Sequence, residues 1–422
     1  MEESPPLGGG SGRLCGVRRA GVLEIMSQVL SRTRIQDIDA LRGFALLGIL
    51  VVNITFVASG FPIHVADDPA YQSMLDQAVH WLSATFVDMK FYLLFSFLFG
   101  YSFQLQIEAA QRAGAGFKPR MLRRLGGLFA IGGLHAIFLI TGDILSVYAL
   151  IGLILLAMRR VTDRTALIVV GAIYAYLFVS LGSTVLFMDT SAFLDPAGAV
   201  AAAHETTANL GGSFGDIIGE HVKAQPLYGL SLLTVQGPTT LAAFLLGLIA
   251  GRRRLLANLT GKEAMLRLIQ LVGFVVGITG GMIYASGGGN GDTGAVLASV
   301  LTAPFLTAAY GATLLRVMHS DKGRDVRRVL APAGQMALSN YLGQSVATML
   351  IFTGIGLGLV GQVSPLETIG IALAIFAVQV VLSHVWMSRY GYGPVEGVLR
   401  AVTNATAPTW QRKTAGESRR SA

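Results

Sequence analysis

The sequence has few charged residues and almost no cysteine. Only 13% of its 422 residues are Asp, Glu, Lys or Arg, whereas a soluble domain carries about 25%. A water-soluble fold with so little charge would expose large apolar patches. The single cysteine, Cys15, excludes an intrachain disulfide and a multi-thiolate metal site. No two histidines have HExxH or another tight ligand spacing, so no metal is expected.

The beginning of the chain lacks the apolar segment of a secretory signal. MEESPPLGGGSG contains no apolar h-region. We therefore expect residues 1–33 to be a disordered tail, or to reflect a start assigned too early, with Met26 as the alternative initiator. We expect residues 406–422 to form a basic cytoplasmic tail. Residues 34–405 then form one polytopic transmembrane domain.

Apolar residues make up 53% of the chain and are concentrated in long runs. A helix needs about 20 of them to cross roughly 30 Å of hydrocarbon. Runs near that length lie at 40–60, 89–107, 124–140, 142–158, 165–187, 229–250, 267–286, 294–316, 334–358 and 366–388. This pattern predicts an all-α membrane protein with about ten transmembrane helices. An extra interfacial helix is expected at 73–87, and the loop at 188–228 has no domain-like pattern.

The placement of charge tests this count. Basic clusters precede the first run and follow the second, fourth, sixth, eighth and tenth, for example Arg120, Arg123, Arg124, Arg252, Arg253, Arg254, Arg327 and Arg328. Acidic residues dominate the alternate loops, for example Asp67, Asp68, Glu205, Asp216, Glu220 and Asp292. The positive-inside rule then places both ends of the chain in the cytoplasm of a bacterium, with the domain in the inner membrane. The net charge of +8 comes from these short clusters between apolar runs, which orient the spans in the membrane. The lipid bilayer and not nucleic acid is therefore the expected partner.

Several polar residues fall at or near membrane depth, where ionisable groups are costly and often functional. Asp39 and Arg42 are three residues apart at the cytoplasmic start of the first run, hence on one helix face and able to pair. Arg42 is then either a snorkelling anchor or, with Arg34, a phosphate holder. Asn53 is a buried amide whose commoner role is to bond neighbouring helices.

His135 and Asp143 lie close together around the predicted turn Thr141-Gly142-Asp143, which joins the third and fourth runs into a hairpin. An imidazole held by a carboxylate is the usual form of a general base. The alternative is that Asp143 only caps the fourth helix while His135 bonds to a carbonyl. Asp143 can do both, because a cap uses only some of its lone pairs. Tyr148 follows on the same helix.

Three further features are weaker signals. Lys90 starts the second run from the outer side, against the charge rule, so it is expected to face a polar cavity or a carboxylate. His80 lies near the outer interface, where a loop histidine is the simpler interpretation. Pro394 suits the first position of a short amphipathic helix, in which Glu396 and Arg400 can pair at i,i+4.

These residues together resemble the bacterial YeiB family, described as a domain of unknown function. The resemblance covers about residues 34–405. It is carried by Asp39-x-x-Arg42-Gly43, Asn53, Lys90-Phe91, Leu98-Phe99-Gly100, Leu134-His135, Gly142-Asp143-Ile144-Leu145, Gly334-Gln335-Met336-Ala337-Leu338-Ser339-Asn340-Tyr341-Leu342-x-Gln344 and Arg389-Tyr390 with Gly393-Pro394-Val395-Glu396.

The opening helix also resembles those of two transmembrane acyltransferase groups, the acyltransferase-3 proteins and the heparan-glucosaminide N-acetyltransferase type. Their activity implies transfer from a cytoplasmic acyl-CoA to a hydroxyl or amine on the far side. In acyltransferase-3 proteins a histidine follows the arginine by about eleven residues, and here Asn53 occupies that place after Arg42. The N-acetyltransferase type has its histidine roughly where His80 lies. The YeiB resemblance points to His135.

The resulting hypothesis is transmembrane acyl transfer with His135 as base, oriented by Asp143. Asn53, Tyr148 or Lys90 would stabilise the oxyanion, and His80 is the alternative base. Candidates for donor or substrate binding are Arg34, Asp39, Arg42, Tyr148, Tyr341 and Gln344. No permanently bound cofactor is expected, only an acyl-CoA-like donor and a small-molecule acceptor. The alternatives are a small-molecule transporter, in which these groups line a path, and a non-enzymatic membrane scaffold.

Overall fold

A computed structural model describes residues 36–114, 116–188, 195–257, 259, 261–320, 323–408 and 410–411. Most of the described residues are helical, and none lies in a β-strand, apart from one isolated bridge between Tyr390 and Gln411. The predicted tail at 1–33, Arg34 and the last eleven residues lie outside the described part of the chain.

The described residues form fifteen α-helices. They are α1 (Gln36–Ala58), α2 (Met74–Phe86), α3 (Lys90–Arg112), α4 (Phe117–Phe138), α5 (Ile144–Ala157), α6 (Asp163–Phe187), α7 (Pro196–Leu210), α8 (Phe214–Ser231), α9 (Gly237–Arg252), α10 (Glu263–Ser286), α11 (Thr293–Met318), α12 (Arg324–Gln335), α13 (Ala337–Phe352), α14 (Pro365–Arg389) and α15 (Pro394–Asn404). A π-helical turn, Leu232–Gln236, joins α8 to α9.

Seven of the described segments are long and apolar enough to cross a membrane, which is what a multi-pass membrane protein requires. They are α1, α2 with α3, α6, α8 with α9, α10, α11 and α14. Three predicted spans, α4, α5 and α13, fall outside this set. The reason is that α4 begins with a basic cluster, whereas α5 and α13 have only 14 and 16 residues.

Two sequence-based boundaries were wrong. The region predicted as a loop at 188–228 contains α7 and most of α8, which begin at caps formed by Asp195 and by a Ser213–Asp216 capping box. The run at 334–358 is not one helix. It is interrupted at Met336, whose backbone leaves the helical region (φ −103°, ψ 31°), and α13 ends at Phe352.

The bundle has two polar ends, which we name by one residue each. At the Asp37 end, the buried Asp37 carboxylate accepts hydrogen bonds from His319 (2.9 Å) and Arg327 (3.2 Å). At the Glu220 end, the buried Glu220 carboxylate accepts hydrogen bonds from Thr206 (3.1 Å) and Asn209 (2.6 Å). Helix α1 runs from the first end towards the second.

Helix α13 runs beside α1 along most of its length. Gly334, just before α13, approaches the backbone of Asp39 so closely that a side chain there would clash. After α13, the Gly361 amide donates to the carbonyl of Ala58, the last residue of α1, over 2.8 Å. The segment 337–361 therefore extends from the Asp37 end to the Glu220 end.

Helices α4 and α5 form the predicted hairpin, and its turn places Gly142 at φ +90°, a conformation that favours glycine. The last turn of α4 is held at the Glu220 end, because His221 donates to the Ile137 carbonyl over 3.1 Å. Its first turns lie near α15, where Arg123 donates to the Thr403 carbonyl over 3.1 Å. Helix α4 thus joins the same two levels as α13.

Candidate functional site

Three polar side chains from α4, the hairpin turn and α13 form one hydrogen-bonded chain. Nδ1 of His135 lies 2.8 Å from Oδ1 of Asp143. Nε2 of the same ring lies 2.8 Å from Oγ of Ser345. All three residues are buried, and His135 is only 1% exposed. We call His135, Asp143 and Ser345 the triad.

The direction of these hydrogen bonds follows from what each group can donate. An ionised carboxylate only accepts, so Nδ1 of His135 donates to Asp143. In a neutral imidazole Nε2 is then the acceptor, and the Ser345 hydroxyl donates to it. The second contact of that hydroxyl, with the Tyr341 carbonyl, is long at 3.4 Å. A hydroxyl bonded to a base that a carboxylate orients is the arrangement of a Ser-His-Asp nucleophile.

Local sequence explains how His135 and Asp143 meet. Oδ2 of Asp143 accepts the Ser146 amide over 2.6 Å and caps α5, while Oδ1 holds His135. The expectation that Asp143 does both jobs is confirmed. Gly132, one turn before His135, makes the close approach possible, since a methyl group there would overlap Asp143 and Ser146.

Two further candidates from the sequence lie beside the triad. The Tyr341 ring is 4.9 Å from the His135 ring between centroids. Its buried hydroxyl approaches the Asn53 side chain and the Ile144 backbone, although no hydrogen bond of ordinary geometry forms. Asn53 and Tyr341 therefore bring polar groups from α1 and α13 close to the triad.

Three other candidates lie elsewhere. Tyr148 faces α3, where its hydroxyl bonds to Ser96 (2.7 Å) and to the Tyr92 carbonyl (2.9 Å). Lys90 is buried at the corner between α2 and α3, where Nζ donates to the Ala84 carbonyl over 2.8 Å. Asp88 lies near enough for its charge to act on Lys90, but the hydrogen-bond partner of the ammonium group is the Ala84 carbonyl. His80 is exposed on α2, which packs mainly against α10.

Gln344 belongs to a polar network that connects α13 with α14. It donates to the Gln379 side chain over 3.0 Å, and Gln379 donates to the Asn340 carbonyl over 2.9 Å. Asn340 in turn bonds to Ser383 over 2.9 Å. Because these groups satisfy one another, Gln344 acts here as an interhelical contact, the usual role of buried amides between membrane helices.

At the Asp37 end, Arg42 pairs with Asp39 over 2.9 Å, as the spacing predicted. Arg42 also donates to Ser102 of α3. The predicted pairing of Glu396 with Arg400 was wrong. Glu396 instead accepts the Leu338 and Ser339 amides (2.6 and 3.1 Å), since the start of α13 offers unpaired N–H groups. Arg400 lies over the Tyr392 ring at 4.5 Å.

Comparison with known proteins places this chain in a family. The profile of a family described as a protein of unknown function (DUF418) matches residues 250–406. YxaH of Bacillus subtilis (strain 168), an uncharacterized protein by its printed name, is 32% identical over 410 residues, which cover 92% of this chain and 97% of YxaH. The chain belongs to the YeiB-type (DUF418) family. YeiB of Escherichia coli (strain K12) itself is 26% identical over 385 residues, covering 87% and 95% of the two chains.

Sequence reasoning missed three residues of this YeiB-type protein that the geometry brings forward. Ser345 is one of two serines in α13, and nothing in its neighbourhood marks it as a partner of a histidine 210 positions away. Gly132 is one of 52 glycines. Arg124 was assigned only to topology, although its Nε is buried and has no hydrogen-bond partner.

A large groove of this YeiB-type protein lies away from the triad. It has a volume of about 920 Å³ between α13 and α14 and is mostly apolar. Gly343, Ala347 and Ile351 line one side, and Val378 and Leu382 the other. No triad residue lines it. The groove is large, but size alone does not make it the reaction site. The hydrogen-bonded groups of the triad are the better indication of where a reaction takes place.

Proposed function

We propose that this protein is an inner-membrane acyltransferase that moves an acyl group from a cytoplasmic acyl-CoA-type donor to a hydroxyl or amine at the outer side. The observation that carries the proposal is the position of His135, between the Asp143 carboxylate and the Ser345 hydroxyl at 2.8 Å each. A structural network needs no such order of groups, whereas nucleophilic acyl transfer does.

The reaction proceeds in two halves. In the first, Oγ of Ser345 attacks the thioester carbonyl while His135 takes the hydroxyl proton, and the C–S bond breaks as that proton passes to the leaving thiolate. The product is an ester on Ser345. In the second, His135 deprotonates the acceptor, which attacks the ester, and the proton returns to Ser345. Asp143 stabilises the imidazolium in both halves.

The tetrahedral intermediates need a donor to their oxyanion. We assign this role to the Asn53 amide and the Tyr341 hydroxyl, because the Tyr341 ring packs at 4.9 Å from His135 and its hydroxyl approaches Asn53. Tyr148 and Lys90 were proposed for this role from sequence, but Tyr148 bonds to Ser96 of α3 and Lys90 bonds to the Ala84 carbonyl of α2.

The proposed topology has ten spans, with both ends in the cytoplasm. The seven long apolar segments supply seven of them. Contacts at both ends of α4 and α13 support the addition of α4, α5 and α13. Helices α5 and α13 are short, about 21 Å and 24 Å. The turn before α5 and the turn after α13, both at the Glu220 end, complete the crossing. The Asp37 end then faces the cytoplasm.

Helix α4 connects the two levels that this reaction requires. Arg124 and His135 are eleven positions apart, which is about three turns, so they share one face of the helix about 16 Å apart. Leu125 and Leu128 lie between them and are buried. These two side chains therefore separate the two levels along this face of α4.

The experiment is to incubate the purified protein with acyl-CoA in the absence of acceptor and to search for an acyl adduct by peptide mass spectrometry. We expect the adduct on Ser345, together with labelling of the same residue by a lipophilic fluorophosphonate. Ser345→Ala and His135→Ala should abolish both. Ser383→Ala, which removes another buried serine hydroxyl, should retain both. Unchanged acyl transfer by Ser345→Ala or His135→Ala protein would contradict the proposal.

A further inference from the structure

A second cavity, of about 540 Å³, opens between the C-terminal half of α3, the first turns of α4 and helix α15 at the Asp37 end. This volume lies within the range of small-molecule sites. Arg120, Arg124 and Arg400 line it, and among the described residues of its lining Glu396 alone is acidic. We call it the basic cavity.

The charge of the basic cavity is not balanced by its own residues. Both oxygens of Glu396 are engaged at the start of α13, by the Leu338 and Ser339 amides and by the Ser339 hydroxyl. Nε of Arg124 is buried without a hydrogen-bond partner. Arg42 lies close enough to Arg124 for the two guanidinium groups to repel each other. Arg42 is itself paired with Asp39, so the unsatisfied group is Nε of Arg124. An anion in the cavity would supply the charge-assisted hydrogen bond that this atom lacks.

The first turn of α4 adds to the attraction for an anion. This helix starts at Phe117 after Gly116, without a side-chain cap and without an acidic residue in its first turn. Phe117 itself lines the cavity. Free backbone N–H groups and the positive end of the helix dipole favour a phosphate at such a place.

We propose that the basic cavity binds a phosphate group, which Arg120, Arg124 and Arg400 hold, and that the phosphate belongs to the nucleotide part of the CoA-type donor. The second part rests on the proposed function. Guanidinium groups match phosphate oxygens in geometry as well as charge. The cavity and the triad are on the same helix, so the nucleotide would bind at one level of α4 and the thioester would react at the other.

The test measures binding and not turnover. Desulfo-coenzyme A, which carries the phosphates but no thiol, is titrated calorimetrically into the full-length protein in phosphatidylcholine nanodiscs. We expect saturable binding that Arg124→Gln weakens about tenfold or more. The control is Arg112→Gln, which removes an exposed arginine bonded to the Glu108 carbonyl, and it should change the Kd about twofold or less.

Nanodiscs of phosphatidylglycerol distinguish the two possible sources of the phosphate, which are the nucleotide part of the donor and the headgroup of an anionic lipid. Binding of desulfo-coenzyme A in both lipids supports the donor. If only phosphatidylglycerol is retained in an Arg124-dependent way by native mass spectrometry, the phosphate is a lipid headgroup and the donor assignment fails. If neither probe responds to Arg124→Gln, the phosphate site is overturned. Ser345→Ala protein should bind desulfo-coenzyme A as wild type does, because Ser345 does not line the basic cavity. Wild-type protein that binds desulfo-coenzyme A but forms no acyl adduct from acyl-CoA would refute the reaction and leave this site standing.

Discussion

His135 of α4 and Ser345 of α13 meet with Nε2 and Oγ 2.8 Å apart, although 210 positions separate them in sequence. Neither helix dictates this contact by itself. The contact forms only because α13 lies beside α1 and α4 extends to the depth of Ser345. It therefore depends on how the whole bundle packs. If the pair acts as one unit, its members cannot contribute independently.

We predict strongly non-additive losses for this pair. Ser345→Ala, His135→Ala and the double variant should each lower acyl transfer by a similar factor, on the order of 10³ or more, because groups of one nucleophilic unit fail together. Single-turnover transfer from labelled acyl-CoA measures this. A double variant whose loss equals the product of the two single losses would show that the residues act separately.

Asp143 offers a way to separate orientation from capping. Asp143→Asn can still cap α5, since Asn and Asp are comparable at this position, but it no longer fixes the protonated state of His135. We expect thermal stability near wild type and a loss of transfer of about 10⁴-fold. Asp143→Ala loses the cap as well and should cost about 1 kcal/mol of stability in addition. Equal activity of Asp143→Asn and wild type would argue that Asp143 is only a cap.

Gly132 and Gly133 form a matched pair on α4. A methyl group on Gly132 overlaps Asp143 and Ser146, whereas one on Gly133 meets nothing within 4 Å. Gly132→Ala should therefore destabilise the protein by about 1–3 kcal/mol and reduce transfer. Gly133→Ala should be neutral or stabilising by up to about 1 kcal/mol, since alanine favours helix. Unfolding in detergent and transfer assays test both, and similar behaviour of the two variants would contradict the packing argument.

The number of spans can be decided at Gln362, which is exposed just after the turn that follows α13. In a Cys15→Ser background, Gln362→Cys should react with a membrane-impermeant maleimide from outside, because α13 crosses in the ten-span topology. If only the seven long segments crossed, Gln362 would face the cytoplasm. Asp67→Cys should react from outside in both cases, and Glu263→Cys from inside only.

The sequence determined the features that depend on neighbours along one helix or on composition. Low charge and long apolar runs were enough for a helical membrane protein, because a lipid-exposed chain must satisfy its backbone hydrogen bonds within each helix. The Asp39–Arg42 pair follows from a spacing of three residues, and the Thr141-Gly142-Asp143 turn from the chemistry of glycine and of a capping carboxylate. These contacts are local, so no tertiary information was needed.

Only the tertiary structure decided which distant groups meet. It brought Ser345 to His135, directed Glu396 to the start of α13 and not to Arg400, and placed Tyr148 against Ser96. It also put Arg124 into a basic cavity. Sequence patterns identify the buried face of a helix but not the helix that packs against it. In a bilayer the hydrophobic effect does not favour one apolar neighbour over another, so packing and hydrogen bonds select the partner. The depth and rotation at which α1, α4 and α13 pack are what bring these polar groups together.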